Sequence, residues 1–275
     1  MTRPLCLGQI SDLHLRHHLP GTSAVAARCS RSMAPLLAEA VQQLGVAGVD
    51  VVVITGDLVD HPVDVPDSGE SLRQGRADLE LVAAALDKLD CPWMVLPGNH
   101  DHDQLFADVF GHALLDVDVA GTRLLSFHDW DRYLTPTDTP AAAPVPDNVP
   151  RRLGDARQRM LAVLADADPR PQVHLQHYVI TPRRDDGWPH TYQDGEQLRD
   201  MLMADQRVRL VLSGHYHPGV ESFRPQGDDT GPWFCVAPAF CQAPHPYLIH
   251  ELDPTGRLTT SRFNLRPVQT LGTAS

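Results

Sequence analysis

Six short runs rich in apolar and β-branched residues alternate with longer amphipathic segments along this chain. The runs Leu5–Ile10, Val51–Thr55, Trp93–Leu96, Arg123–Phe127, Gln172–Gln176 and Val208–Ser213 have the length and composition of strands. Between them, apolar positions recurring near a period of 3.6 predict helices over Arg28–Leu44, Leu72–Leu89, Arg157–Ala167 and Glu196–Met203. Trp233–Ala237, Tyr247–Leu252 and Leu258–Phe263 then follow one another as strands with no helical pattern between them. The alternation predicts an α/β layered fold with a mixed sheet and an antiparallel C-terminal portion. Two stretches break the pattern: His61–Gln74 is polar, and Thr135–Pro150 is rich in Pro and Ala. Both read as long surface loops, because periodic apolar segments resume directly after each. Residues 1–275 are expected to form a single domain.

Composition narrows the function. The 275 residues are 42% hydrophobic, which excludes disorder and leaves ample material for a core. No apolar run approaches the roughly 20 residues of a membrane span. The first apolar stretch is cut short by Asp12 and His14, so no signal-peptide core is expected. With 23 basic and 35 acidic residues the formal charge is −12, and Lys88 is the only lysine. That balance argues against nucleic acid or an anionic membrane as partner. A phosphorylated small molecule remains compatible if a metal centre supplies local positive charge. The five cysteines, at 6, 29, 91, 235 and 241, show no C-x-x-C spacing and read as reduced thiols, hence a cytoplasmic protein. Self-association into a homo-oligomer is left open.

The 15 histidines change the picture. Asp12-x-His14 follows the first strand, Gly56-Asp57 the second and Gly98-Asn99-His100-Asp101 the third. His177 follows the Gln172–Gln176 strand, and Gly214-His215-Tyr216-His217 follows Val208–Ser213. Five strand ends therefore bring carboxylate, imidazole or amide groups to the rim where α/β sheets carry their sites. Asp-x-His alone is uninformative, being expected about 1.6 times by chance in a chain of this composition. Gly-Asn-His-Asp is expected on the order of 0.001 times, because the chain holds only three asparagines. The chemistry accounts for the residue types. Two divalent ions about 3.5–4 Å apart clamp a phosphate and generate a hydroxide between them. Such a pair needs a bridging carboxylate, for which Asp57 is suited, flanked by imidazoles and a neutral oxygen donor. Asp12, His14 and one histidine of the H-x-H could complete one ion; Asn99, His177 and the other histidine could complete the second. A ligand set mixing imidazole and carboxylate fits Mn, Fe or Zn.

The ordered set D-x-H, G-D, G-N-H-D, H and G-H-x-H resembles the calcineurin-like metallophosphoesterase superfamily. Within it, Gly56-Asp57-Leu58-Val59-Asp60 and Leu96-Pro97-Gly98-Asn99-His100-Asp101 are similar to the bacterial class III cyclic nucleotide phosphodiesterase branch, which also contains glycerophosphodiester hydrolases. The resemblance implies a four-layer αββα sandwich of two mixed sheets flanked by helices. It assigns Asp12, His14, Asp57 and His217 to one metal and Asp57, Asn99, His177 and His215 to the other. It makes His100 the general acid and Asp60 the carboxylate that orients it.

The expected activity is hydrolysis of a small-molecule phosphodiester, such as a cyclic nucleotide or a glycerophosphodiester, by hydroxide held at the two ions. The rivals are a phosphomonoesterase or nucleotidase on the same core, a nuclease, and a non-catalytic binding scaffold. Asn99, His100, Arg16, His17 and Tyr216 are the expected substrate contacts. His18, the group His128, Asp129 and Asp131, and the pair His190 and Tyr192 are weaker candidates for the rim. Asp101 is expected to cap the helix that begins after it.

Overall fold

The structure, a computed structural model, describes residues 3–61, 68–111, 116–129, 149–225 and 230–265. Thr135–Pro150, read as a loop, lies mostly outside these residues, as does Asp131. Among the described residues no helix is long and apolar enough to cross a membrane.

Strand β1 (Leu5–Ile10) is almost wholly buried and runs near the centre of a five-stranded sheet. It pairs in parallel with β2 (Val51–Thr55), which pairs in parallel with β3 (Trp93–Leu96). These strands are continuously apolar because both of their faces are covered. Val52 and Ile54 pack outward against α1 (Met33–Ala47), α2 (Gly69–Leu86) and α3 (Asp103–Phe110). Val51 and Val53, on the opposite face, join Leu175, Leu210 and Leu212 of the second sheet in the core between the sheets.

The second sheet has six strands. β4 (Asp116–Val119) is one edge, followed by β5 (Thr122–Ser126), β6 (Gln172–Leu175), β7 (Val208–Ser213), β9 (Trp233–Val236) and β8 (Val220–Phe223) at the other edge. Strands β5, β6, β7 and β9 are parallel, while β4 and β8 run antiparallel to their neighbours. Its outer face carries Leu125, Val211 and Phe234 against Met160 and Val163 of α4 (Gly154–Ala165) and Leu198 and Leu202 of α5 (Gly195–Ala204). Helices, sheet, sheet and helices thus form the αββα sandwich.

Several expectations are corrected. The C-terminal strands do not stay together: β9 is parallel to β7 in the second sheet. Of the three expected strands, β10 (Pro246–Leu252) and β11 (Leu258–Asn264) pair antiparallel with each other, beside β1 in the first sheet. Helix α1 starts at Met33 instead of Arg28. Residues before it are drawn elsewhere by the backbone bond from Cys29 N to Cys241 O, and Pro35 sits in the first turn where its missing N–H is harmless. Helix α2 reaches back to Gly69, so residues 69–74 are helical instead of loop. Ser68 and Ser71 form a reciprocal capping box that starts the helix there. The edge strands β4 and β8 carry too little alternation to stand out in the sequence; the first reads Asp-Val-Asp-Val.

Candidate metal centre

The C-terminal ends of β1, β2 and β3 in one sheet and β6 and β7 in the other converge on a single cleft. Beyond β1 and β2 the two chains stay paired, through Asp12 N to Gly56 O (3.1 Å) and His14 N to Asp57 O (2.9 Å). The second sheet does the same, with Gly214 N donating to His177 O at 2.9 Å. Asp12, His14, Asp57 and His215 have φ of 55°, 45°, 52° and 66°, four of the six non-glycine residues in this left-handed region among the described residues. Each such residue costs roughly 1–3 kcal/mol, and such strain clusters where a side chain must be aimed. Two glycines make the approach possible. A Cβ on Gly98 would overlap Oδ1 of Asp57, and one on Gly214 would overlap Oγ of Ser11 and crowd Oδ2 of Asp12 at 2.9 Å.

The side chains so aimed form two touching groups. Asp12, His14 and His217 lie together, as do Asp57, His177 and His215. His217 thus lies with Asp12 and His14, and His215 with Asp57 and His177. Asp57 joins the groups, with Oδ2 3.4 Å from His14 Nε2 and 3.5 Å from His177 Nε2. Asn99 presents Oδ1 to His177 Nε2 at 3.2 Å. His14 and His217 approach each other Nε2 to Nε2 at 3.3 Å.

The local bonding leaves donor atoms facing inward. His177 Nδ1 donates to Thr55 O at 2.8 Å, which turns Nε2 toward Asp57 and Asn99. Oδ2 of Asp12 accepts from Ser11 Oγ and from His215 N, while its buried Oδ1 has no hydrogen-bond partner. Nε2 of His215 is likewise buried and unpartnered. Orphaned atoms of this kind are costly in a protein interior and fit a cation-binding centre.

Electrostatics agree. Burial pushes His14 down to about 4 and, with His14 nearby, His217 down to about 3, so both are neutral ligand-type imidazoles. Burial opposes charge on His177 as well, yet the Asp57 carboxylate outweighs it and pushes its pKa up to about 9. Asp57 itself is held well below the usual carboxylate range, its burial overcome by His177 and the neighbouring imidazoles. Positive charge is favoured where the Asp57 carboxylate faces His177 and His100.

His100 stands beside these groups and closes a third one, with His14 and Asp60. Its backbone N donates to Asp57 Oδ1 at 2.9 Å, and its ring lies edge-on to His14 with centroids 4.6 Å apart. Nδ1 is 2.7 Å from Asp60 Oδ1. Burial lowers the His100 pKa, but Asp57 and the Asp60 hydrogen bond outweigh it and raise it. Asp60 is held far below the usual range, its burial overcome by the bonds to His100 and His14.

Other expected residues sit differently. Arg16 turns away, its Nε on Asp60 (2.9 Å to O, 3.1 Å to Oδ2) and Nη1 on the carbonyls of Pro20 and Thr22, so it braces Asp60. His17 is exposed and meets the His18 ring edge-on, while its backbone N bonds to Asp78. Tyr216 packs against His190 and does not line the cleft. Asp129 is buried and paired with Arg152 and Tyr192. Asp101 does not cap α3: its carboxylate accepts from the backbone N of Leu58, Val59 and Gly98, tying the second and third strand ends together, and His102 is the cap.

The cleft holds about 410 Å³ and has walls that sequence reasoning missed: Ser23, Val25 and Arg28 on one segment, Trp188 beside the foreseen His190 on another. Arg28 Nη1 is 3.4 Å from both Asp60 Oδ1 and Ser23 Oγ, and its buried Nε has no hydrogen-bond partner. No motif marks these residues, because loops with no period in common bring them to the cleft.

A model of the calcineurin-like phosphoesterase family matches residues 7–219. A protein of Synechococcus sp. described as a probable cyclic nucleotide phosphodiesterase is 26% identical over 221 residues, which cover 78% of this chain and 73% of that one. In three dimensions the chain is similar to a dimetal phosphatase from Danio rerio (TM-score 0.71, 18% identity, 95% of this chain and 96% of that one). It is also similar to the calcineurin-like phosphoesterase YfkN from Bacillus subtilis (TM-score 0.53, 13% identity, 95% and 91%). At such identities the structural likeness speaks for the fold alone. The family match runs through every strand end from Asp12 to His217, and the chain belongs to the calcineurin-like phosphoesterases.

Proposed function

We propose that this chain hydrolyses a small-molecule phosphodiester in the cytoplasm, using two transition-metal ions of the Mn, Fe or Zn type. The observation that carries the reading is Asp57 Oδ2, almost equally far from His14 Nε2 (3.4 Å) and His177 Nε2 (3.5 Å). A carboxylate so placed can serve two ions at once. Asp12, His14 and His217 would complete one site, and Asn99, His177 and His215 the other. When bound, such ions offset charge on the phosphoryl oxygens and lower the pKa of a coordinated water.

The protein's own groups do the rest. Asp60 orients His100 through Nδ1 and favours its protonated form, so Nε2–H is available to the leaving oxygen. Asn99 and Arg28 border the space for the phosphate, and Arg28 contributes a fixed positive charge in an otherwise acidic chain. The diester preference is supported by the Synechococcus relative's description and by a cleft wider than one phosphate needs. The net charge of −12 favours a small molecule over a nucleic acid.

Protein loaded with Mn²⁺ and assayed on bis(p-nitrophenyl) phosphate and p-nitrophenyl phosphate tests this directly, since the leaving group is shared. The diester should be favoured by about tenfold or more in kcat/KM. A preference for the monoester would make the protein a phosphomonoesterase.

A further inference from the structure

The walls of the cleft are chemically unequal. Asp57, Asp60, His100 and Arg28 line it with charge, whereas Trp188 and Val25 line it with apolar surface. Trp188 is 49% exposed and Val25 43% exposed, two of the five large hydrophobic side chains left exposed among the described residues. An exposed indole that lines the same cleft as the metal-ligand candidates offers a flat apolar face to a bound molecule.

The segment carrying Trp188 is held at both ends. Val179 N donates to His190 O and Tyr192 N to Val179 O, while Arg184 N donates to Thr191 Oγ1 at 2.7 Å. Tyr192, fully buried, is bonded to Asp129 and to the buried Arg152. Two residues from Trp188, the His190 ring packs on His215 with centroids 5.1 Å apart. The indole is therefore carried by an anchored loop that reaches the metal-ligand candidates.

We infer that Trp188 takes a planar aromatic group on one arm of the substrate, of the nucleobase kind, while the phosphate lies by Asn99, His100 and Arg28. This rests on the phosphodiesterase reading and adds to it the chemistry of the substrate's non-phosphate arm. A glycerol or other alkyl arm gains little from an indole face. A base stacked on an aromatic side chain gains roughly 5- to 100-fold in affinity.

The test compares two diesters that release the same nitrophenolate: thymidine 5′-(p-nitrophenyl phosphate) and methyl p-nitrophenyl phosphate. The wild-type protein should favour the nucleoside ester by about 5- to 100-fold in kcat/KM, carried by KM. Trp188→Ala should bring that ratio close to one, and Trp188→Phe should restore most of it. A wild-type ratio near one, or a ratio unchanged in Trp188→Ala, overturns the inference. Calorimetric binding of thymidine 5′-monophosphate against methyl phosphate, on the same proteins, separates the two readings. If neither ester is hydrolysed, the phosphodiesterase reading fails while the binding ratio still decides on Trp188. Equal binding of the two monoesters would dismiss the aromatic subsite whatever the hydrolysis.

Discussion

Oδ1 of Asp60 lies 2.7 Å from Nδ1 of His100, and the same oxygen lies 3.6 Å from Nδ1 of His14. One carboxylate therefore stands behind both the proposed acid and a proposed ligand, and Arg16 and Arg28 hold it in place. The arrangement predicts how these residues divide their work.

A general acid matters where the leaving group is a poor one. His100→Ala should cost roughly 10²–10⁴ in kcat on a diester with an alkyl or nucleoside leaving group, and much less on a p-nitrophenyl ester. Asp60→Asn should follow the same pattern more weakly, and the double variant should be little worse than His100→Ala. Steady-state kinetics on both ester types, at verified metal content, check this. Equal losses on both esters would make His100 a binding residue.

Gly98 lies against Asp57 so closely that a Cβ has no room, because both the carboxylate and the backbone N of Asp57 are in the way. Gly98→Ala should displace Asp57 and lower metal content per chain, with a stability loss of about 1–3 kcal/mol for the forced shift. Elemental analysis and denaturant unfolding read the two effects. Unchanged metal content would mean that Asp57 can move without consequence.

His174 and His250 are fully buried away from the cleft, and burial lowers both to about 3. His250 is bonded to Gln9 and Thr260 as a neutral ring. A histidine whose folded pKa is depressed is neutral in the fold but takes up a proton when unfolded, below about 6.5. Stability should therefore fall as pH drops from about 6.5 toward 3, by up to about 1.4 kcal/mol per pH unit for each ring. His250→Gln should lose less stability between pH 7 and pH 5 than the wild type, measured by denaturant midpoints. An equal loss would place the acid sensitivity elsewhere.

The strands that deliver the cleft were legible because each is a short apolar run ended by a polar motif. Leu5–Ile10, Val51–Thr55, Trp93–Leu96 and Val208–Ser213 match the observed β1, β2, β3 and β7 residue for residue. Their partition into two sheets was not written in those runs, since a strand buried on both faces looks the same in either sheet. It entered through the family resemblance. The helical period begins at Arg28, whereas tertiary bonds such as Cys29 N to Cys241 O hold that segment out of the helix and at the cleft. Trp188 lies in a Pro-containing loop with no period, and the proposed subsite depends on the anchoring of Tyr192 by Arg152, a contact between residues 40 positions apart.

The central claim is a two-ion centre bridged by Asp57. Metal content per chain, measured by elemental analysis on wild-type protein and on Asp57→Asn reconstituted with Mn²⁺, tests it most directly. Close to two ions are expected in the wild type and reduced occupancy of both sites in Asp57→Asn, with activity lost on chelation and restored by Mn²⁺ but poorly by Mg²⁺. Two full-occupancy ions in Asp57→Asn, or a wild type that is metal-free and fully active in excess chelator, would contradict it.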